Sequence, residues 1–146
     1  MNEMMEFETY RCNCVVCTCI EKPWFVGGVN PNAPDNTVID WFNACDLVCV
    51  PSRNEPFGVV VLEAWDACKP VVATEAVSII RNFEDGLLAY VQPESIAWCI
   101  NRLLSNPEEM KKLAQAGCSR IDAEFSWDRI AKRTEAVYEE AIKHGT

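Results

Sequence analysis

From residue 36 onward the chain alternates short, continuous apolar runs with longer stretches of helical spacing. Residues 35–44 open with the capping types Asp35 and Asn36 and read as a short helix. Residues 46–51 form a β-type run that Pro51 stops, and 57–67 have helical length and composition. Two more β-runs follow at 69–74 and 86–91, then helices at 93–104, 107–123 and 127–143. The last helix is expected to take Ser126 as N-cap, with Phe125 and Ile130 placed as a hydrophobic staple. Uninterrupted apolar strands alternating with helices mean a parallel sheet covered on both faces. The expected class is therefore α/β, a parallel sheet flanked by helices with a helical C-terminal third. Residues 24–28 add a candidate earlier strand, and 29–36 are a Pro/Asn-rich loop. Residues 1–23 fit this pattern least well. The expected division is thus a Cys-rich segment at 1–23 and an α/β domain at 24–146.

Composition narrows the function more than the fold. With 146 residues the chain suits one domain, and a net charge of −9 argues against nucleic acid, whose phosphates need clustered Lys and Arg. The start, Met1-Asn-Glu-Met-Met-Glu-Phe-Glu, is acidic where a signal peptide is basic and then apolar. No uncharged stretch approaches the roughly 20 residues of a membrane span. The expected location is cytoplasmic. Nine cysteines is a high count. Cys45, Cys49, Cys68, Cys99 and Cys118 fall in apolar or helical segments and read as small hydrophobes, and the odd total argues against a disulfide framework.

The chemistry concentrates after the first well-defined strand. In an open parallel sheet, ligands sit beyond the carboxyl ends of the strands. There Ser52-Arg-Asn-Glu-Pro-Phe-Gly58 feeds a helix expected to begin near Phe57. The unpaired amides and positive dipole end of that helix favour an anion, and Gly58 admits a ligand close to the backbone. A diphosphate fits. Glu55 precedes the helix, and Glu63 lies within the otherwise apolar Val59-Val-Val-Leu-Glu-Ala-Trp65. Helical side chains lean toward the N-terminus, so Glu63 is expected to point back toward Glu55. Two carboxylates at such a mouth are good acceptors for the vicinal hydroxyls of a ribose and a hexose. The plainer alternative is one helix-start carboxylate and one surface glutamate.

Ala44-Cys-Asp-Leu-Val-Cys-Val-Pro-Ser-Arg-Asn-Glu-Pro-Phe-Gly-Val-Val-Val-Leu-Glu-Ala64, followed by Lys69-Pro-Val-Val-Ala-Thr74, resembles the C-terminal domain of retaining GT-B glycosyltransferases of the group 1 type. The likeness runs over residues 36–143, including Glu124-Phe-Ser-Trp-Asp-Arg-Ile130. It implies a Rossmann-like half of a GT-B fold that binds a nucleoside diphosphate sugar and transfers the hexose with retention, with no obligatory metal and no cofactor. Glu55 then contacts the hexose and is the candidate catalytic residue. The amides of Phe57, Gly58 and Val59 face sugar and phosphate, and Glu63 holds the ribose hydroxyls. Ser52 and Arg53 belong to the same signature; Arg53 is the nearby candidate for a diphosphate cation, with a plain loop role as the alternative for both. Three departures stand out. The basic pair of the family's earlier β/α units has no counterpart, since only Arg11 and Lys22 precede Arg53. Glu75-Ala-Val-Ser-Ile-Ile-Arg81 replaces the usual Gly-Gly loop and glutamate, and Cys68 stands where glycine is usual. The expected partner is an acceptor-binding lobe, with a homo-oligomer as the alternative.

Two other readings compete. One is a non-enzymatic α/β interaction module with a degraded site. The other is a thiolate metal protein built on Cys12, Cys14, Cys17 and Cys19, whose close spacing suits zinc or copper(I). No second Cys or His pair follows them in the spacing of a structural zinc site, so no metal ligand is assigned. His144, the only histidine, lies in the terminal tail, which argues against a Ser–His or Cys–His hydrolase.

Overall fold

The structure is a computed structural model that describes residues 35–55 and 57–144. The expected strand at 24–28 and the cysteines at 12–19 lie outside them. The elements run α1 (Asp35–Ala44), β1 (Val48–Val50), α2 (Val59–Asp66), β2 (Val71–Thr74), β3 (Leu87–Ala89), α3 (Pro93–Leu104), α4 (Pro107–Arg120), a π-helical turn (Ile121–Phe125) and α5 (Trp127–His144). The three strands form one parallel sheet in the order β1-β2-β3, with Val48 opposite Val71 and Val72 opposite Leu87. This is the expected α/β class with a helical C-terminal third.

Strand side chains alternate between two apolar layers, as period-two geometry requires. Val48, Val50, Val71 and Ala73 join Phe42, Val61 and Trp65 beneath α1 and α2. Cys49, Val72 and Leu87 turn the other way and meet Cys99, Leu103 and Leu113 of α3 and α4. Full burial of each large aliphatic or aromatic side chain contributes about 1.5–3 kcal/mol, so both layers are needed to hold so short a sheet.

Element boundaries moved where backbone conformation overrode composition. α2 begins at Val59 because Gly58 is left-handed, at φ 102° and ψ 51°. Its far end closes in a Schellman pattern, with Cys68 N–H donating to Trp65 O and Lys69 N–H to Ala64 O. Cys68 takes the left-handed position of that motif, at φ 50°. Glycine is favoured there because a Cβ costs about 1–2 kcal/mol in this conformation. α4 stops at Arg120, and residues 121–123 enter the π turn instead. Ser126 is extended, and its carbonyl accepts the first bonds of α5 from Arg129 and Ile130.

The cysteine reading needs one correction. Cys68 and Cys118 form a disulfide across 50 residues, with Cα atoms 4.9 Å apart. Packing of α4 onto α2 brings them together: a Cβ on Gly117 would lie 2.2 Å from the Trp65 ring, so only glycine lets the helices approach. Sequence spacing carries no trace of that contact. No helix among the described residues is long and apolar enough to cross a membrane.

Candidate functional site

The loop after β1 is tied down at several points. Thr74 Oγ1, at the end of β2, donates to Ser52 O. Glu55 forms a parallel bridge with Val77, in the segment that leaves β2. Gly58 is seated on the same segment, because a Cβ there would meet Val77 Cγ1 at 2.8 Å and Ile79 Cγ2 at 3.1 Å. A left-handed glycine pressed against its neighbours places the start of α2 at the carboxyl edge of the sheet.

The predicted site residues fall as follows. Glu55 and Gly58 meet, and not as two sides of an open mouth: Glu55 Oε1 accepts from Gly58 N at 3.0 Å and from Phe57 N at 3.4 Å. Two of the three amides expected to face sugar and phosphate thus hold the protein's own carboxylate, which supplies the negative charge that a helix start favours. Phe57 is exposed and meets Phe125 edge-on, with ring centroids 6.1 Å apart. Val59 is exposed, Ser52 half-buried and Arg53 exposed with no ion pair among the described residues.

Glu63 lies in the middle of α2 on its exposed side, and no described side chain pairs with it. Solvent meets its carboxyl in part, while burial pushes its pKa above the ordinary glutamate value. No group of three or more His, Cys, Asp or Glu side chains suited to a metal occurs among the described residues.

Behind the loop lies a polar brace that sequence reasoning missed. Arg120 Nη1 donates to Ile79 O at 2.7 Å and to Asp85 Oδ2 at 2.5 Å, and Nε donates to Glu124 Oε2 at 3.1 Å. Asp85 also accepts from Arg81 N at 2.8 Å, and its carbonyl accepts from Trp65 Nε1 at 3.1 Å. The bond from Arg120 holds the Glu124 pKa below its usual range, despite partial desolvation. In the sequence, Gly86 reads as the start of a β-run and Arg120 as one position of the helix expected at 107–123, and neither points to a partner.

With this geometry in place, comparison with known proteins decides the family. Residues 27–120 match the family description Glycosyl transferases group 1. The chain belongs to the glycosyl transferases group 1 family. It is 37% identical over 119 residues to a D-inositol 3-phosphate glycosyltransferase of Thermobispora bispora, covering 79% of this chain and 28% of the relative. Among solved structures it is similar to sucrose-phosphate synthase from Thermosynechococcus elongatus, with a TM-score of 0.64, 31% identity and coverage of 70% of this chain and 27% of that one. It is also similar to Anabaena HepE in complex with UDP, with a TM-score of 0.64, 26% identity and coverage of 68% and 29%. The chain spans less than a third of the length of the curated relatives it matches. As a group 1 glycosyltransferase chain it has the α/β architecture of one half of the GT-B fold, as its motifs implied.

Proposed function

We propose that this chain is the nucleotide-sugar-binding domain of a retaining glycosyltransferase and that turnover needs an acceptor-binding lobe. One observation carries the reading: beside the left-handed Gly58 the loop amides of Phe57 and Gly58 hold a carboxylate, that of Glu55, at the start of the helix that bears Glu63. The likeness to a UDP-bound structure supports a nucleoside diphosphate as that anion.

Donor binding is then an exchange. The diphosphate replaces the Glu55 carboxylate on the Gly58 amide, and the released carboxylate turns to the hexose hydroxyls, with Ser52 lining the loop beside them. The amides of Phe57 and Val59 join that of Gly58 in meeting phosphate and sugar. Glu63, unpaired by the described side chains, accepts from the ribose hydroxyls, and Arg53 supplies a cation to the leaving diphosphate. The burial that raises the Glu63 pKa fits a carboxyl that takes its hydrogen bonds from a ligand.

Calorimetric titration with UDP, UDP-glucose and other nucleoside diphosphates and their sugars tests this. Glu63→Ala removes hydrogen bonds to a charged acceptor and should weaken binding by about 1.5–3 kcal/mol, roughly 10- to 150-fold. Glu55→Ala should bind the bare diphosphate at least as tightly as wild type, because the competing carboxylate is gone, and should lose the preference for the sugar-bearing form. Binding of no nucleotide by wild type would favour the non-enzymatic α/β module.

A further inference from the structure

We infer that Arg120 is a positioning residue for donor binding, acting on the loop at 52–58 from behind without touching the donor. The inference rests on the donor-binding reading above.

Arg120 reaches the loop by two routes. Through Ile79 O, at 2.7 Å, it fixes the segment whose Val77 and Ile79 side chains form the seat of Gly58. Its guanidinium also stands 5.4 Å from the centroid of Phe125, whose ring meets Phe57. The group is itself held on every side. Its other ring contact is Trp65, at 5.3 Å, and Asp85 and Glu124 take its remaining bonds. The Arg120 side chain is 12% exposed and that of Asp85 4%.

A buried ion pair is a poor choice if stability is all that is required, since apolar side chains of similar volume serve as well or better. What the pair adds is direction. A planar guanidinium with fixed donors sets the position of a carbonyl in a way that aliphatic packing does not. Lysine retains the charge but lacks the fork, so it can keep Asp85 paired while releasing Ile79 O.

The test titrates UDP into the full chain as wild type, Arg120→Lys, Asp85→Asn and Leu103→Ala. Leu103 is buried in the opposite apolar layer, so its truncation serves as a stability-loss control remote from the loop. Arg120→Lys should weaken UDP by roughly 5- to 30-fold, in the range of couplings that act through packed neighbours. It should also shift the amide NMR signals of Phe57 and Gly58 in the ligand-free protein. Leu103→Ala should leave affinity and those two signals as in wild type. If Arg120→Lys does not fold, Asp85→Asn carries the test, because it keeps an acceptor for Arg81 N–H and removes the charge that holds the guanidinium. No UDP binding by wild type sinks the donor reading and this inference with it. Wild-type binding with no loss in Arg120→Lys overturns the inference alone, as does an equal loss in Leu103→Ala.

Discussion

The two faces of the sheet are built on different principles. Under α3, the layer of Leu47, Val72, Leu87 and Leu103 is almost wholly aliphatic, and a polar contact in it, from Cys99 Sγ to Leu88 O, is long at 3.9 Å. Under α1 and α2, the layer around Trp65 is threaded with directional bonds: Trp65 to Asp85, and Arg120 to Asp85 and Ile79. Of the buried polar side chains among the described residues, Asp85 works in this second layer, while Thr74, in register with Ala89 of the first, reaches from the end of β2 to the loop at Ser52 O. Apolar contact is tolerant of small displacements, whereas a bond to one carbonyl is not. The face that supports the loop is therefore the one built for geometry, and the other for cohesion.

α4 belongs to both faces, since Leu113 enters the aliphatic layer while Gly117 abuts Trp65. The disulfide is the covalent part of its attachment to the loop-bearing face. Closing a loop over a separation of 50 residues is worth about 4 kcal/mol in the chain-entropy account, so the double variant Cys68→Ala/Cys118→Ala should show the largest stability loss. Denaturant unfolding with and without a dithiol reductant measures it. An unchanged midpoint on reduction removes the bond from any account of α4. Next in size, Leu103→Ala should cost about 2–5 kcal/mol through a cavity on the aliphatic face. If that variant were to lose UDP binding in step with stability, the division of labour between the faces would be wrong.

Gly58→Ala probes the other face with a smaller change. A methyl group there meets Val77 and is forced to hold a left-handed backbone, for about 1–3 kcal/mol. Its UDP affinity should fall further than that of Leu103→Ala, although its stability falls less. Equal affinities in the two variants would break the comparison.

Much of the architecture was legible because it is local. Continuous apolar runs such as Val71-Val-Ala-Thr74 announce buried parallel strands, and the Pro93 and Pro107 helix starts sit where their sequences place them. Gly58 was legible as a close approach, though not as the residue that delays α2. The occupant of its amide was not legible. Only the folded loop reveals that Glu55 is near enough to serve as its own anion. The brace was hidden for a different reason: Asp85 and Arg120 lie 35 residues apart, and pairing at that range depends on how α4 docks. The same holds for Cys68 and Cys118, which docking brings together and composition alone treats as two small apolar residues.

The smallest effect concerns Glu63, the acid that no described side chain pairs. Burial raises its folded pKa, so the folded state keeps its proton to higher pH than the unfolded chain does. As pH climbs from the ordinary glutamate value through the raised one, the unfolded state ionises first and folding loses free energy; above both values the full penalty stands. Glu63→Gln removes that penalty, so at neutral pH it should melt slightly above wild type, by no more than about 0.5 kcal/mol for a carboxyl that solvent still reaches. Below the ordinary glutamate range the two proteins should converge. Thermal melts at several pH values read this directly. Together with lost UDP binding, a gain in stability would mark Glu63 as a group held in place for its ligand at the expense of the fold, whereas a loss at neutral pH would mean that the folded chain already satisfies this carboxylate.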